Sequence, residues 1–291
     1  MTGRRRRGTR LGVGESRAGV IGFGTAAWVI GMLWIFPVAW TVLTSFKTEQ
    51  DASAQTLHHG LSFDRYADVS HSTEGTLSLA TAFTNSLFIV LISTAIVMLL
   101  ALPAAYALAI RPVPKWRDVL FFFISTKFLP IVASIFPIYV YAERWNLIGT
   151  RTILIVLYTA MNLPLAIWMT RSFFAEVPRE LIEAAEIDGT TLINQLRSVI
   201  LPIAAPGIAA TALLCVIFAW NEYFYSIQLN FAGASTMPQW VIGNVSTRGN
   251  FLAKLSAASM IACLPVVLAG WAAHVVPRRR TSGSSRSRAE G

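Results

Sequence analysis

Charge is what this chain has least of. Asp, Glu, Lys and Arg make up only 13% of its 291 residues, against 54% hydrophobic residues. That balance excludes a disordered chain and is too apolar for most soluble domains. Cysteine is nearly absent. Cys215 and Cys263 both lie inside apolar runs, so they read as buried thiols and not as a disulfide or a metal site. The four histidines, His58, His59, His71 and His274, have no ligand spacing, and neither a metal nor another cofactor is expected. No Gly-x-x-x-x-Gly-Lys-Ser/Thr run occurs, so ATP is not hydrolysed here through a phosphate loop. His-Glu-x-x-His, a nucleophile motif and paired carboxylates within apolar runs are missing too, which leaves nothing to support a membrane enzyme.

Long apolar runs fill the chain instead. A bilayer is crossed by roughly 20 apolar residues in a helix, and six segments qualify: 19–43, 82–110, 119–142, 152–170, 203–225 and 252–276. The first is too long for a signal-peptide core and lacks a clear small-residue cleavage site after it, so it reads as an uncleaved span. The expected fold is all-α and polytopic, with six transmembrane helices in residues 19–276. A basic tail, 1–18, carries Arg4 to Arg7, Arg10 and Arg17. A Ser/Arg tail, 277–291, closes the chain, and both tails read as disordered.

The formal charge of +9 could point to nucleic acid, but its distribution argues otherwise. With the N-terminus inside, seventeen Lys and Arg residues fall on the inner side and six on the outer side, with Lys127 within a span. This is the asymmetry of a protein whose basic residues anchor its cytoplasmic face. Nucleic acid is not needed to explain it. Both termini, the 111–118 turn and the segment before 203 are placed in the cytoplasm, and 44–81 outside.

Residues 176–206 hold the chain's most informative pattern. They are mostly polar and helix-competent, and they lie between two spans. Pro178 suits a helix start, and Glu180 favours the positive end of the helix dipole. Ala184 and Ala185 are strong helix formers. Gly189 reads as a left-handed residue that ends the helix. A second short helix then carries Leu192, Leu196 and Val199 on one face, and Pro202 is expected to end it. Leu181, Ile182, Ala184 and Ala185 form a small apolar face flanked by Glu180, Glu183, Glu186 and Asp188.

The run Glu183-Ala184-Ala185, Asp188-Gly189 and Ile200-Leu201-Pro202 resembles the EAA loop of bacterial ABC importer permeases. Thr190 stands where Ala is usual in that family, and Leu196 where Phe is frequent. The resemblance extends from about Phe36 to the last span and is closest to the carbohydrate branch, the maltose-type second permease subunit. Asn85-Ser86, Ala105-Tyr106, Pro137-Ile138-Tyr139, Leu147-Ile148-Gly149-Thr150 and Trp220-Asn221-Glu222 carry it. The run from Ser125 to Pro130 is similar to mannitol and sorbitol permeases. The C-terminal tail departs from the ending common in the branch.

The resemblance implies a type I importer fold in the bacterial cytoplasmic membrane. The chain would form half of a path for a sugar or sugar alcohol. A second homologous permease subunit, two ATP-binding subunits docked at the loop 176–202 and an extracytoplasmic solute-binding protein are the implied partners, beside the lipid bilayer. Glu183, Ala184, Ala185, Asp188 and Gly189 would couple to the ATPase.

Lys127, Asn162, Asn221 and Glu222 are candidates for the solute pathway. Lys127 lies about eight residues, roughly 12 Å, from the inner end of its span. A charge there costs at least about 2.5 to 3.5 kcal/mol, so it must face the bundle, a wet cavity or a freed carbonyl. It could line the path or tether two helices. Asn221 and Glu222 sit near the outer end of the fifth span, within reach of water, as gate residues or interface anchors. Asn162, near Pro164, suits a helix kink as well as a pathway. The rival function is an ion-coupled secondary transporter using Lys127 and Glu222, although the chain halves show no repeat.

The charge asymmetry makes a direct prediction. In a background lacking Cys215 and Cys263, an impermeant thiol reagent applied to intact cells should modify Thr56→Cys and spare Thr190→Cys. The reverse pattern would overturn the orientation.

Overall fold

The computed structural model describes residues 17–55, 60–71, 78–111, 113–128, 130–230, 234–243 and 251–275. The arginines of residues 4–10 and the tail 277–291 lie outside the described residues. Among these residues every regular element is helical.

Five helical stretches are long and apolar enough to cross a membrane. They are α1 (Arg17–Ser45), α4 (Leu79–Ala109), α7 (Arg151–Ala175), the stretch Leu192–Trp220 and α13 (Leu252–Val275). Two short helices, α2 (Glu49–Ser53) and α3 (Asp64–His71), lie between α1 and α4. The remaining expected span is not straight. It divides into α5 (Trp116–Ser125), a 3-10 turn at Thr126–Phe128 and α6 (Ile131–Arg144), and the two arms meet at 87°. Six crossings result only if this bent pair is one span. Pro130 accounts for the break, since it has no N–H to donate and disfavours helical geometry in the residue before it. Pro137, flagged equally by the sequence, is simply carried inside α6.

The centre of the bundle is α4 against α7. Val97, Ala101, Ala166 and Ile167 are buried in their contact, with Cys215 beside them. Alanine at such positions lets helix backbones approach closely, which matters where lipid offers no hydrophobic drive for helix association. Gly207 does the same for the stretch 192–220. A Cβ there would fall inside the ring of Phe173 on α7.

The outer layer reads differently. None of the most apolar window of α1 is buried, and its main neighbour is α13. Cys263 on α13 is exposed, unlike Cys215, which corrects the expectation that both thiols are buried. In a membrane protein an apolar run need not be core, because the lipid side is apolar as well. The start of α13 is fixed from outside the span: the Glu49 carboxylate of α2 accepts from Ala253 N at 3.2 Å and Lys254 N at 2.8 Å. This satisfies two of the orphan N–H groups at a helix N-terminus.

Candidate coupling loop and solute pathway

After α7 the chain turns at Glu176–Pro178 and enters α8 (Arg179–Ile187). Pro178 stands just before the helix, as its N-cap, and not within the first turn. Ile182 is buried in one cluster with Phe174, Val177, Ile200 and Ala204, and Ala185 is buried as well. Leu181, Ala184 and Ile187 are exposed. The single apolar face expected from the sequence is therefore two faces. Ala184 and Ala185 are adjacent residues about 100° apart on a 3.6-residue helix, and only Ala185 turns inward.

Gly189 ends α8 with φ +68°, in the left-handed region that favours glycine. No atom stands within 4 Å of where its Cβ would be, so the demand is on backbone shape alone. Gly189 N donates to Glu186 O at 3.0 Å and Thr190 N to Ala185 O at 3.1 Å. Thr191 then caps α9 (Leu192–Gln195) by accepting from Asn194 N.

The second helix does not stop at Pro202. A π turn, Leu196–Ile200, joins α9 to α10 (Leu201–Trp220), and Leu201 N donates back to Leu196 O. Proline clashes with the carbonyl four residues before it and cannot hydrogen-bond to it. The wider π turn removes that conflict, and the helix runs on into the membrane.

Three contacts tie the loop to the bundle. Arg111, after α4, pairs with Glu186 at 3.5 Å. Tyr106 Oη, on α4, donates to Gln195 Oε1 at 2.7 Å. Gln195 Nε2 donates to Ile182 O at 3.1 Å. Gln195 is 1% exposed, so one buried amide joins α4, α8 and α9. Gln195 belongs to no motif read from the sequence. The available signal was a glutamine on the apolar face of Leu192, Leu196 and Val199, three residues from the first and four from the last.

What remains outside is an apolar patch with an acidic rim. Ile187 is 86% exposed and Ile193 76%, next to Leu181, Ala184 and Leu192. Glu180, Glu183 and Asp188 are exposed around them.

Of the four pathway candidates, Asn162 lies on α7, Lys127 on the 3-10 turn after α5, and Asn221 and Glu222 just past the end of α10. Lys127 Nζ donates to Met161 O at 2.8 Å and stands 5.8 Å from the centre of the Phe218 ring. Among the described residues no carboxylate pairs with it. Asn162 is buried and donates to Tyr158 O at 3.1 Å, one turn back along α7. Its Oδ1 has no partner among the described residues. Asn221 is exposed and folds back on Ile217 O at 2.8 Å, closing the end of α10.

Glu222 corrects the expectation of a side chain reaching water. It is buried, its Oε1 accepts from Tyr225 N at 2.9 Å, and its backbone carbonyl accepts from Tyr158 Oη at 3.3 Å. The carboxylate thus caps α11 (Phe224–Leu229). The segment beyond it is not a free outer loop either. Ser235 O accepts from Asn85 Nδ2 at 3.0 Å, and Met237 N, at the start of α12 (Met237–Gly243), donates to Ser86 Oγ at 2.7 Å. Asn85-Ser86 therefore seats this segment on the N-terminal end of α4.

Residues 98–281 match the family of binding-protein-dependent transport system inner membrane components. The chain belongs to that family. It is a multi-pass membrane permease, a transport subunit and not an enzyme. It is 36% identical over 206 residues to a putative ABC transporter permease of Streptomyces antibioticus, over 70% of this chain and 89% of that one. It is 32% identical to the sulfoquinovosyl glycerol permease SmoH of Agrobacterium fabrum, over 80% and 82% of the two chains. The trehalose permease SugB of Mycobacterium tuberculosis is 30% identical, over 80% and 85%. A crystal structure of a bacterial alginate importer shares the fold, with a TM-score of 0.69 at 21% identity over 91% of this chain and 99% of that one. The ion-coupled alternative finds no support in these relatives, and the Glu222 carboxylate it relied on is engaged in a helix cap.

The Gln195 bridge makes a quantitative prediction. Gln195→Leu strands the Tyr106 hydroxyl in a buried place, at about 1 to 3 kcal/mol for the unmet group, and removes the Gln195 donor from the Ile182 carbonyl. Tyr106→Phe removes one partner only and should cost less. Thermal unfolding of the purified permease complex should show the double variant to be clearly less destabilised than the sum of the singles. Strict additivity would mean that the two side chains are not bonded.

Proposed function

We propose that this chain forms half of the translocation pathway for a carbohydrate in an ATP-driven importer of the bacterial cytoplasmic membrane. The observation that carries this reading is the exposed Leu181/Ala184/Ile187/Leu192/Ile193 patch with its acidic rim, built on α8 and on α9, which continues through the π turn into the span of α10. The carbohydrate rests on relatives named for trehalose, diacetylchitobiose and sulfoquinovosyl glycerol. Residues 19–276 are the permease domain, the loop 176–202 and both termini are cytoplasmic, and the tails 1–18 and 277–291 flank it.

The partners are a second homologous permease, two ATP-binding subunits and a solute-binding protein on the outer side. Structures of the fold include an alginate importer in complex with a periplasmic protein bound to an alginate pentasaccharide, which supports a partner of that kind. Glu183, Ala184, Ala185, Asp188 and Gly189 act at the ATPase. Glu183 meets a basic group there, Ala184 contributes contact surface, Ala185 holds α8 onto the bundle, and Gly189 sets the angle between α8 and α9. When the ATP-binding subunits close, they draw α8 and α9 with them. Gln195 and Arg111 pass that displacement to α4, and the π turn passes it to α10.

Lys127 lines the path at the bend between α5 and α6, and Asn162 shapes α7 beside it. Asn221 and Glu222 fix the outer corner where α10 gives way to α11. A charge on a 3-10 turn beside an aromatic face suits the hydroxyls of a sugar, which an ammonium can donate to and a ring can stack against.

Two loop variants test the coupling. Glu183→Lys exchanges a charge-assisted hydrogen bond of about 1.5 to 3 kcal/mol for repulsion, so ATPase binding should weaken by about tenfold to a hundredfold. Gly189→Val places a β-branched residue at positive φ and should re-aim α9. Both variants should insert normally yet lose solute-stimulated ATP hydrolysis in liposomes. Wild-type stimulation and uptake in both would remove the loop from the mechanism. Lys127→Met should leave the complex assembled and change uptake rate or solute preference. Unaltered kinetics would exclude it from the path.

A further inference from the structure

A second site lies between α5 and the C-terminal end of α7, the end that leads into the coupling loop. Trp116 opens α5 and packs against the buried cluster around Leu108, Leu120 and Ile167. Two guanidinium groups share its ring. Arg171, from the last turns of α7, has its Cζ 3.8 Å from the ring centroid, and Arg117 has its Cζ 5.3 Å away. Two like charges gathered on one indole repel each other, and cation–π attraction offsets only part of that.

Among the described residues the ion pairs are Arg65–Asp68 and Arg111–Glu186, so neither Arg117 nor Arg171 has a carboxylate partner. Asp118 follows Arg117 in sequence but pairs with neither. The Nε of Arg171 is enclosed, with no hydrogen-bond partner. A planar guanidinium with unmet donors is suited to a phosphate group, which it can meet with two parallel bonds.

The surroundings choose the source of that phosphate. On the same helix as Arg117, Phe121 is 75% exposed and Phe122 65% exposed. A lipid whose phosphate rests between Arg117 and Arg171 can lay its acyl chains along these rings, whereas a free phosphate gains nothing from them. The geometry points to a binding site for the phosphate of an anionic phospholipid, formed by Arg117, Trp116 and Arg171. Basic pockets between helices at the cytoplasmic surface are suited to such headgroups. By bridging α5 to α7 there, the lipid holds the inner arm of the bent pair against the centre of the bundle.

The test is native mass spectrometry of the assembled transporter in detergent, with added phosphatidylglycerol, phosphatidylcholine or inorganic phosphate. The wild type should retain phosphatidylglycerol and not phosphatidylcholine, and inorganic phosphate should not displace it. R117Q/R171Q should hold phosphatidylglycerol at least about tenfold more weakly, since each cation near the headgroups contributes a factor of about five. If the double variant fails to assemble, the single substitution R117Q, at an exposed position, should still lower retention by about fivefold. Retention unchanged in R117Q and in any double variant that assembles would overturn the site. So would equal retention of phosphatidylcholine. Displacement by inorganic phosphate would show a free-anion site in place of a lipid one.

Discussion

Hydrocarbon offers no partner to a backbone N–H or C=O, so a chain that crosses a membrane must satisfy these groups within itself. Helices do this automatically, and most of this fold is the straightforward result. The interest lies where the helices break, because each break must be made good by something else. At the bend between α5 and α6 the 3-10 turn carries Lys127, whose ammonium reaches the Met161 carbonyl. At the end of α10 the Glu222 carboxylate takes up the start of α11. Between α9 and α10 a π turn absorbs the conflict created by Pro202. Near the start of α4, Asn85 and Ser86 satisfy backbone groups of the segment between α11 and α12. Three of the four devices are side-chain bonds between elements distant in sequence or at a helix start, and these places are where a bundle can change shape without leaving polar groups bare.

The loop between α7 and α9 follows the same logic. Its inward residues, Ile182 and Ala185, are buried, and Ile182 is part of the bundle's own core. Its outward residues form an apolar patch that this chain leaves open. The buried Gln195 amide makes α8, α9 and α4 one mechanical unit. A force applied to the outward face therefore cannot bend α8 alone. On the proposed reading, that rigidity is how a distant ATP-driven closure reaches the solute path.

Much of this was legible in the sequence. The span positions followed from apolar length, the φ of Gly189 from its place after a helix, and the family from the spacing of Glu183-Ala184-Ala185, Gly189 and Leu201-Pro202. What was not legible depended on direction or on distant pairing. Apolar length cannot distinguish lipid from core, so Cys263 was misplaced while Cys215 was not. Proline marks conflict but not its resolution: Pro130 breaks a span, Pro137 is carried inside α6, and Pro202 is accommodated by a wider turn. The burial of Glu222 depends on Tyr158, 64 residues earlier, and no local pattern announces such a meeting. Gln195 was visible as a polar residue on an apolar face, but its partner Tyr106 lies 89 residues away.

The central claim is that the outward face of α8 is the surface that receives the ATP-hydrolysing subunit. It is tested most directly by site-specific photo-cross-linking in the assembled transporter. A photoreactive residue at Ile187, 86% exposed, should capture that subunit, while the same group at Ile182, 6% exposed and turned into the bundle, should label only the permease itself. Capture of the ATP-hydrolysing subunit at neither position, or equally at both, would contradict the account.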